Sequence, residues 1–212
     1  MNEFVNELVK EFFLTNPFYW IFIIIGILCA VFYKRIVGKA GEFHVYNELK
    51  KLPSSDYLII NDLMISVHGV THQIDHVVVS KYGIFVIETK QWHGFITGSF
   101  YDEKWTMHYG SDNSYSVSNP IKQNYGHILS LSELLGVDKS KLINIVCFPS
   151  DVTLKLYNCF NVVGLDDLNN KIISYNAIRI DEVKNIYDKL VSSNITDKNI
   201  RKEHIKNCKD KH

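Results

Sequence analysis

Two acids and a lysine, Asp75, Glu88 and Lys90, are the residues of this chain whose types and spacing best suit chemistry. Twelve residues separate the two acids, and Lys90 follows Glu88 after one residue. Carboxylate oxygens are the ligands that Mg²⁺ prefers in proteins. A nearby lysine can orient an attacking water or offset charge that develops on a phosphate. The pattern therefore suits metal-assisted hydrolysis of a phosphodiester, in which the metal polarises a phosphoryl oxygen and lowers the pKa of the water.

A β-hairpin must position these residues. Segments 75–79 and 84–90 are rich in Val, Ile and Phe, and the turn between them contains Gly83. If the last residue of the first strand faces the first residue of the second, counting back places Asp75 opposite Glu88, with Cβ atoms about 5 Å apart. Like charges in that position destabilise a hairpin unless a cation lies between them. The other interpretation is an ordinary hairpin, in which the acid merely begins a strand and the Glu-x-Lys pair is exposed.

The surrounding residues extend this pattern. They are Gly41-Glu42, Asn47-Glu48-Leu49, Gln73-Ile74-Asp75-His76-Val77-Val78-Val79, Gly83, Ile87-Glu88-Thr89-Lys90, Trp92, Gly94, Gly98 and Asn119-Pro120-x-x-Gln123-x-x-x-His127. With them the chain resembles the nuclease-related domain family, abbreviated NERD, of the PD-(D/E)XK nuclease superfamily. The resemblance covers residues 38–174, and segments 142–149 and 161–168 resemble those that close the family's domain.

The resemblance implies a fold, an activity and a set of site residues. The fold is α/β, a mixed sheet flanked by helices. Asp75, Glu88 and Lys90 are implied as the catalytic set, with Glu42 as an accessory acid on the first helix and Gln123 as a polar helper on the helix after the core strands. Asp75 and Glu88 are the expected ligands of Mg²⁺ or Mn²⁺. Nucleic acid is the expected partner, with DNA ranked before RNA, and the sequence alone leaves the choice between the two open.

The residues around Glu42 leave two interpretations open. Residues 39–52 are predicted as a helix, and Glu42 lies on its apolar face with Val45, Tyr46 and Leu49. A carboxylate there either points into a polar site or lies in the first helical turn, where the helix dipole favours an acid.

Gln123 has a similar pair of interpretations. Asn119 and Pro120 are a typical helix start, with Asn as the cap and Pro at the first helical position. A helix is therefore predicted over 120–135, ending before Gly136. Gln123 either reaches the predicted site or simply occupies the first turn of this helix.

The N-terminal part contains an apolar run over residues 17–33, at the lower length limit for a membrane-spanning helix. Aromatic residues, Trp20 and Tyr33 among them, flank the run, and Lys34 and Arg35 follow it. We therefore predict one transmembrane helix, with the lipid bilayer as a partner and the catalytic domain in the cytoplasm. A cleaved signal peptide or a buried core helix is the alternative, although the acidic residues upstream argue against a signal peptide.

Composition limits the modes of nucleic-acid binding. The 23 acids and 23 bases give a net charge of zero, so any nucleic-acid contact must use a local patch. Candidate contributors are the cations Lys81, Lys104 and Lys122 and the aromatic residues Trp92, Tyr101 and Trp105.

Cysteine and histidine are the other residue types of this chain that could bind a metal. The four cysteines are scattered and form no C-x-x-C pair, which argues against a zinc ribbon or a disulfide framework. His68, His72 and His76 recur every fourth residue, but Gly69 and Val70 between them oppose a helix that would bring them to one face.

These observations predict four segments. They are a short N-terminal segment 1–16, the transmembrane helix 17–33, the nuclease-related domain 38–174 and a polar, helical tail 175–212. The leading hypothesis is a membrane-anchored, Mg²⁺- or Mn²⁺-dependent nuclease. The alternative is a catalytically silent membrane module that binds nucleic acid or protein on the same fold. A membrane-protein assembly factor is a third hypothesis, and the oligomeric state is open.

Overall fold

The computed structural model describes residues 17–110 and 113–209, so the predicted N-terminal segment 1–16 lies outside the described residues. Two compact units divide the chain, Met1–Ala40 and Gly41–His212. The second unit holds every strand of the described residues and the predicted site.

A five-stranded mixed sheet forms the centre of the second unit, in the order β1-β2-β3-β7-β9. Its strands are β1 (Tyr57–Val67), β2 (Val70–Ser80), β3 (Gly83–Thr89), β7 (Leu142–Phe148) and β9 (Val162–Gly164). The β1-β2 and β2-β3 pairs are antiparallel, and β7 pairs in parallel with both β3 and β9. Strands β3 and β7 are buried almost throughout, as their continuous apolar sequences require.

A second mixed sheet has four strands in the order β6-β5-β4-β8. Its strands are β4 (Gly94–Ser99), β5 (Lys104–Tyr109), β6 (Asn113–Ser118) and β8 (Val152–Tyr157). From the sequence alone, residues 104–107 are predicted as a strand and the polar residues 110–119 as a loop. The loop prediction is wrong at 113–118, where strand β6 lies. The six residues of β6 are mostly exposed and polar, so they carry little apolar periodicity, and their pairing with β5 supplies the strand.

Helices flank the sheets. They are α1 (Pro17–Leu49), α2 (Pro120–Leu135), α3 (Leu168–Ile173), α4 (Val183–Ser192) and α5 (Lys198–Lys209). The predicted bounds of α2 are confirmed: the Asn119 side chain accepts a hydrogen bond from Ile121 N, and Gly136 ends the helix at φ 70°.

Two apolar clusters place helices on both faces of the five-stranded sheet. On one face, Ile128 and Leu131 of α2 pack with Val77 and Val86. On the other face, Val45 of α1 packs with strand residues such as Val78, Phe85 and Ile87. Because side chains alternate along β3, Glu88 lies on the same face as Val86, which is the α2 face. The predicted α/β fold, a mixed sheet flanked by helices, is confirmed, with a second sheet added to it.

The predicted transmembrane helix is not supported. Residues 17–33 are helical, as predicted, but no helix within 17–110 and 113–209 is long and apolar enough to cross a membrane. The apolar run rises only about 25 Å as a helix, against about 30 Å of hydrocarbon, before Lys34 and Arg35 end it. A lipid bilayer as partner through residues 17–33 is thus also unsupported, and the cellular location stays a prediction.

The C-terminal tail, predicted as polar and helical, contains α4 and α5, and one arginine ties α5 to strand β1. Arg201 of α5 donates to the backbone carbonyl and carboxylate of Asp62, each at 2.9 Å, and also to Ile195 O and Asn194 Oδ1. Asp62 has φ 52° and also accepts from Gln73 Nε2 at 2.6 Å. The strained strand position is therefore held by side chains from β2 and α5.

Candidate active site at the open end of the hairpin

The hairpin register agrees with the prediction. Val79 pairs with Ile84, and the ladder continues to His76 and Ile87, so Asp75 and Glu88 come next on the two strands. Beyond this ladder, a side-chain contact joins the two strands: Asp75 Oδ2 accepts a hydrogen bond from Thr89 N at 2.8 Å. We call this the open end of the hairpin, opposite the turn at residues 80–83.

Glu88 is buried, and its two carboxylate oxygens face different partners. Oε1 accepts from Lys90 Nζ at 2.6 Å and from Gln123 Nε2 at 2.8 Å. Oε2 lies 3.7 Å from His127 Nε2. A buried carboxylate is tolerated only when it is paired and hydrogen-bonded, and these three groups meet that requirement.

Lys90 is fixed from several sides. Its Nζ also donates to Gln123 Oε1 at 2.9 Å, and it lies 5.7 Å from the centre of the Trp92 ring. Its backbone N donates to Cys147 O at 2.9 Å, which ties the end of β3 to β7. The ammonium is therefore held in one place beside Glu88 and is not a free surface charge.

Asp75 lies among like charges. Burial raises its pKa well above the ordinary value, and the neighbouring charges of Glu88 and Glu42 raise it further. The hydrogen bond from Thr89 N and the charge of Lys90 oppose this shift. Three carboxylates thus interact at the open end, and the negative form of Asp75 is disfavoured there.

Glu42 is brought to this group by α1. The alternative that it occupies a first helical turn was wrong, because the helix begins at Pro17 and not near residue 39. One residue earlier, a Cβ on Gly41 would lie 2.5 Å from Gln91 Oε1 and 3.2 Å from Pro149 Cγ. The bare glycine backbone thus permits the close approach of α1 at this point.

The structure likewise places Gln123 in the site, since its amide contacts both Glu88 and Lys90. It also adds His127, which the sequence reasoning quoted in the family pattern without giving it a role. His127 follows Gln123 by four residues, a spacing that puts both on one helix face and could have revealed it. Burial lowers the pKa of His127, and the charge of Glu88 opposes that change.

The residues that the sequence offered for nucleic-acid contact differ in their surroundings. Lys81 lies at the hairpin turn and pairs with Asp56 at 3.3 Å. Trp105 is fully buried and donates from Nε1 to Ser99 O, so its predicted availability for base stacking was wrong. Tyr101 is exposed.

The three histidines do not converge. His68 pairs with Glu133, His72 Nε2 contacts Ser130 Oγ at 3.0 Å, and His76 Nδ1 contacts Asn61 Oδ1 at 2.7 Å. Their four-residue spacing therefore does not bring the three side chains onto common partners.

A divalent metal fits this site in charge and in donor type. Hard carboxylate oxygens meet there, and a cation would relieve the repulsion that raises the pKa of Asp75. Across the described part of the chain, however, no group of three or more His, Cys, Asp or Glu side chains is arranged to hold a metal ion.

These features define the class of protein: an α/β domain with opposed acids, a paired lysine and a glutamine at the open end of a central hairpin. The sequence profile of the nuclease-related domain matches residues 37–149. The chain therefore belongs to the nuclease-related domain family, within the PD-(D/E)XK nuclease-like superfamily.

A bacterial relative extends the similarity beyond the profile. The chain is 38% identical over 176 residues to an uncharacterised protein of Bacillus anthracis, and the alignment covers 80% of this chain and 82% of the relative. No solved structure matches the chain significantly.

Proposed function

We propose that this protein is a metal-dependent nuclease that hydrolyses phosphodiester bonds, with DNA as its substrate. One observation carries the proposal: Asp75 and Glu88 meet at the open end of the hairpin, and Lys90 and Gln123 bond to the buried Glu88 carboxylate. Membership of a nuclease-related family supports the same activity.

In this proposal Asp75 and Glu88 would hold Mg²⁺ or Mn²⁺. When bound, such an ion polarises a phosphoryl oxygen and lowers the pKa of the attacking water. The carboxylate of Glu42, which already interacts with Asp75, adds negative charge that favours cation binding.

Lys90 and Gln123 act on the phosphate side of the site. The Lys90 ammonium is held beside Glu88 by the Gln123 carbonyl, so its position is set before substrate arrives. From there it orients the attacking water and offsets charge that develops on the phosphate. Gln123 fixes both partners, and such preorganisation is what makes an electrostatic contribution effective.

A DNA-cleavage assay tests this proposal, using the full chain with Mg²⁺ or Mn²⁺. Asp75→Asn and Lys90→Ala should each lower the cleavage rate by about 100-fold or more, since the first removes a proposed metal ligand and the second removes the cation beside the reacting phosphate. Lys81→Ala at the hairpin turn is the matched control and should cleave like the parent. Unchanged cleavage in folded Asp75→Asn and Lys90→Ala proteins would refute the proposal.

A second candidate function is a catalytically silent module that binds nucleic acid or protein on the same fold. Two observations favour it: across the described residues no group of three or more His, Cys, Asp or Glu side chains is arranged to hold a metal ion, and Lys90 is already paired with Glu88. DNA binding that persists without hydrolysis in any divalent metal would support this candidate over the nuclease.

A further inference from the structure

A cavity of about 440 Å³ adjoins the candidate active site on the side of Gln123. It is bordered by the start of β5, the end of β6 and the first turn of α2. The lining residues are Glu103, Lys104, Ser118, Asn119, Lys122 and Gln123. All six are polar or charged, so the cavity suits a charged, hydrogen-bonding ligand better than an apolar one.

The backbone around the cavity is held in place. Lys104 pairs with Ser118 across the two strands. Asn119 donates from Nδ2 to Asp102 O at 2.8 Å and to Ser99 O at 3.2 Å, while its own backbone N donates to Glu103 O. These bonds join the β4-β5 connection to the start of α2, so the cavity is formed before any ligand binds.

The two lysines of the cavity differ in their present contacts. Within 17–110 and 113–209, no hydrogen bond or ion pair engages the Lys104 ammonium. Lys122 donates to Tyr101 O at 3.1 Å and pairs with Glu103. The Glu103 side chain is 83% exposed, and an ion pair that open to water contributes little. An incoming anion can therefore replace Glu103 at Lys122 and meet Lys104 as well.

Gln123 connects this cavity to the candidate active site. It lines the cavity, and its amide bonds to Glu88 and Lys90. An anionic group in the cavity would thus lie one side chain away from the proposed reacting phosphate. Successive phosphates of a nucleic-acid strand provide anions in such a row, and lysine is a common phosphate ligand.

We propose that this cavity binds a backbone phosphate of the substrate strand next to the scissile bond, through Lys104 and Lys122, with Glu103 as a competing anion. The inference rests on the proposed nuclease function, because it takes the substrate to be nucleic acid. It assigns the binding of the neighbouring phosphate to residues outside the catalytic set.

The test measures DNA affinity and DNA cleavage on the same full-length variants. Fluorescence anisotropy with a labelled DNA oligonucleotide, in EDTA, gives Kd as a function of salt concentration. Lys104→Ala should weaken binding by about 3- to 10-fold and lower the salt slope by about one. Glu103→Gln should tighten binding by about 3-fold, since it frees Lys122. Lys81→Ala removes the same charge far from the cavity and should change neither quantity.

The outcomes separate this inference from the proposed function. Weaker binding by Lys104→Ala and tighter binding by Glu103→Gln support the phosphate site, even if no variant cleaves DNA and the nuclease proposal fails. DNA cleavage that depends on Asp75, combined with Lys104→Ala and Glu103→Gln affinities equal to that of Lys81→Ala, overturns the phosphate site alone. A folded chain that neither binds nor cleaves DNA overturns both.

Discussion

Each end of the β2-β3 hairpin carries a lysine paired with a carboxylate, one exposed to water and the other buried. At the turn, Lys81 lies 3.3 Å from Asp56, and the two side chains are 49% and 41% exposed. At the open end, Lys90 lies 2.6 Å from Glu88, and the side chains are only 16% and 6% exposed. The first pair is ordinary surface electrostatics, whereas the second removes two charges from water.

The difference teaches where this fold gives up stability for a site. Burial of an ion pair costs free energy, and further hydrogen bonds must offset that cost. The open end supplies them from Gln123 of α2, while the turn pair has water instead. Asp75 is unfavourable as well, because its neighbours disfavour the charged form of its carboxylate. A carboxylate whose pKa is raised by burial and by neighbouring charges is a candidate functional residue.

The largest expected effect on stability is the difference between removing Lys90 and removing Lys81. Lys90→Ala should lower the free energy of unfolding by about 3 kcal/mol near neutral pH, because it leaves the buried Glu88 charge without its cation. Lys81→Ala, at the exposed turn, should leave the unfolding midpoint within experimental error. Urea denaturation of both variants measures the contrast, and equal losses would show that the two ends do not differ.

The contrast extends to β1, whose Asp62 lies beside the open end and is held by Arg201. Arg201→Ala should lower the free energy of unfolding by about 2 kcal/mol, since four hydrogen bonds are lost and their acceptors on Asp62, Ile195 and Asn194 lose this donor. The matched control is Lys202→Ala, an exposed neighbour on the same helix. Urea denaturation again provides the measurement. A loss no larger than that of the control would mean that α5 does not support the open end.

Gln123 tests how far the open end depends on its amide. Gln123→Ala should cost about 1 kcal/mol of stability and about tenfold in cleavage rate, because Glu88 and Lys90 each lose one hydrogen bond. Tyr125→Ala, at an exposed position of α2, is the control. A cleavage rate equal to that of the control would remove Gln123 from the site.

A pH-dependent effect should distinguish Asp75 from an exposed acid. Its pKa is raised in the folded protein by burial, Glu88 and Glu42, so the folded chain holds this proton to a higher pH than the unfolded chain does. The resulting stabilisation is present in full below the ordinary pKa and is lost as pH rises through the raised value. Asp75→Asn should therefore gain stability relative to the parent as pH rises through that range. Urea unfolding across pH 4 to 8 in EDTA measures this, and parallel pH profiles would contradict it.

The sequence was sufficient for the hairpin and for the helix that covers it. The two apolar segments and the turn at Gly83 predicted the register that brings Asp75 and Glu88 together, and the Asn119-Pro120 cap and Gly136 defined α2. These features are local, so a single sequence can reveal them. The proximity of Gln123 came from the family resemblance, and the structure agrees with it.

The remaining features depend on contacts between distant parts of the chain. Strand β6 has polar, exposed residues and exists because it pairs with β5, so periodicity could not identify it. The tie between Arg201 and Asp62 joins residues 139 positions apart. The N-terminal apolar run misled for a different reason, because its length lies at the threshold where a spanning helix and a shorter apolar helix look alike.

Calorimetric titration of the full chain with Mn²⁺ tests the central claim most directly, because it asks whether the carboxylates of the open end hold a metal. The account predicts binding by the parent protein and by Lys81→Ala, and loss of binding in folded Asp75→Asn and Glu88→Gln proteins. A folded parent protein that takes up no Mn²⁺, or an Asp75→Asn variant that binds it as the parent does, would contradict the claim that this site is a metal-dependent active site.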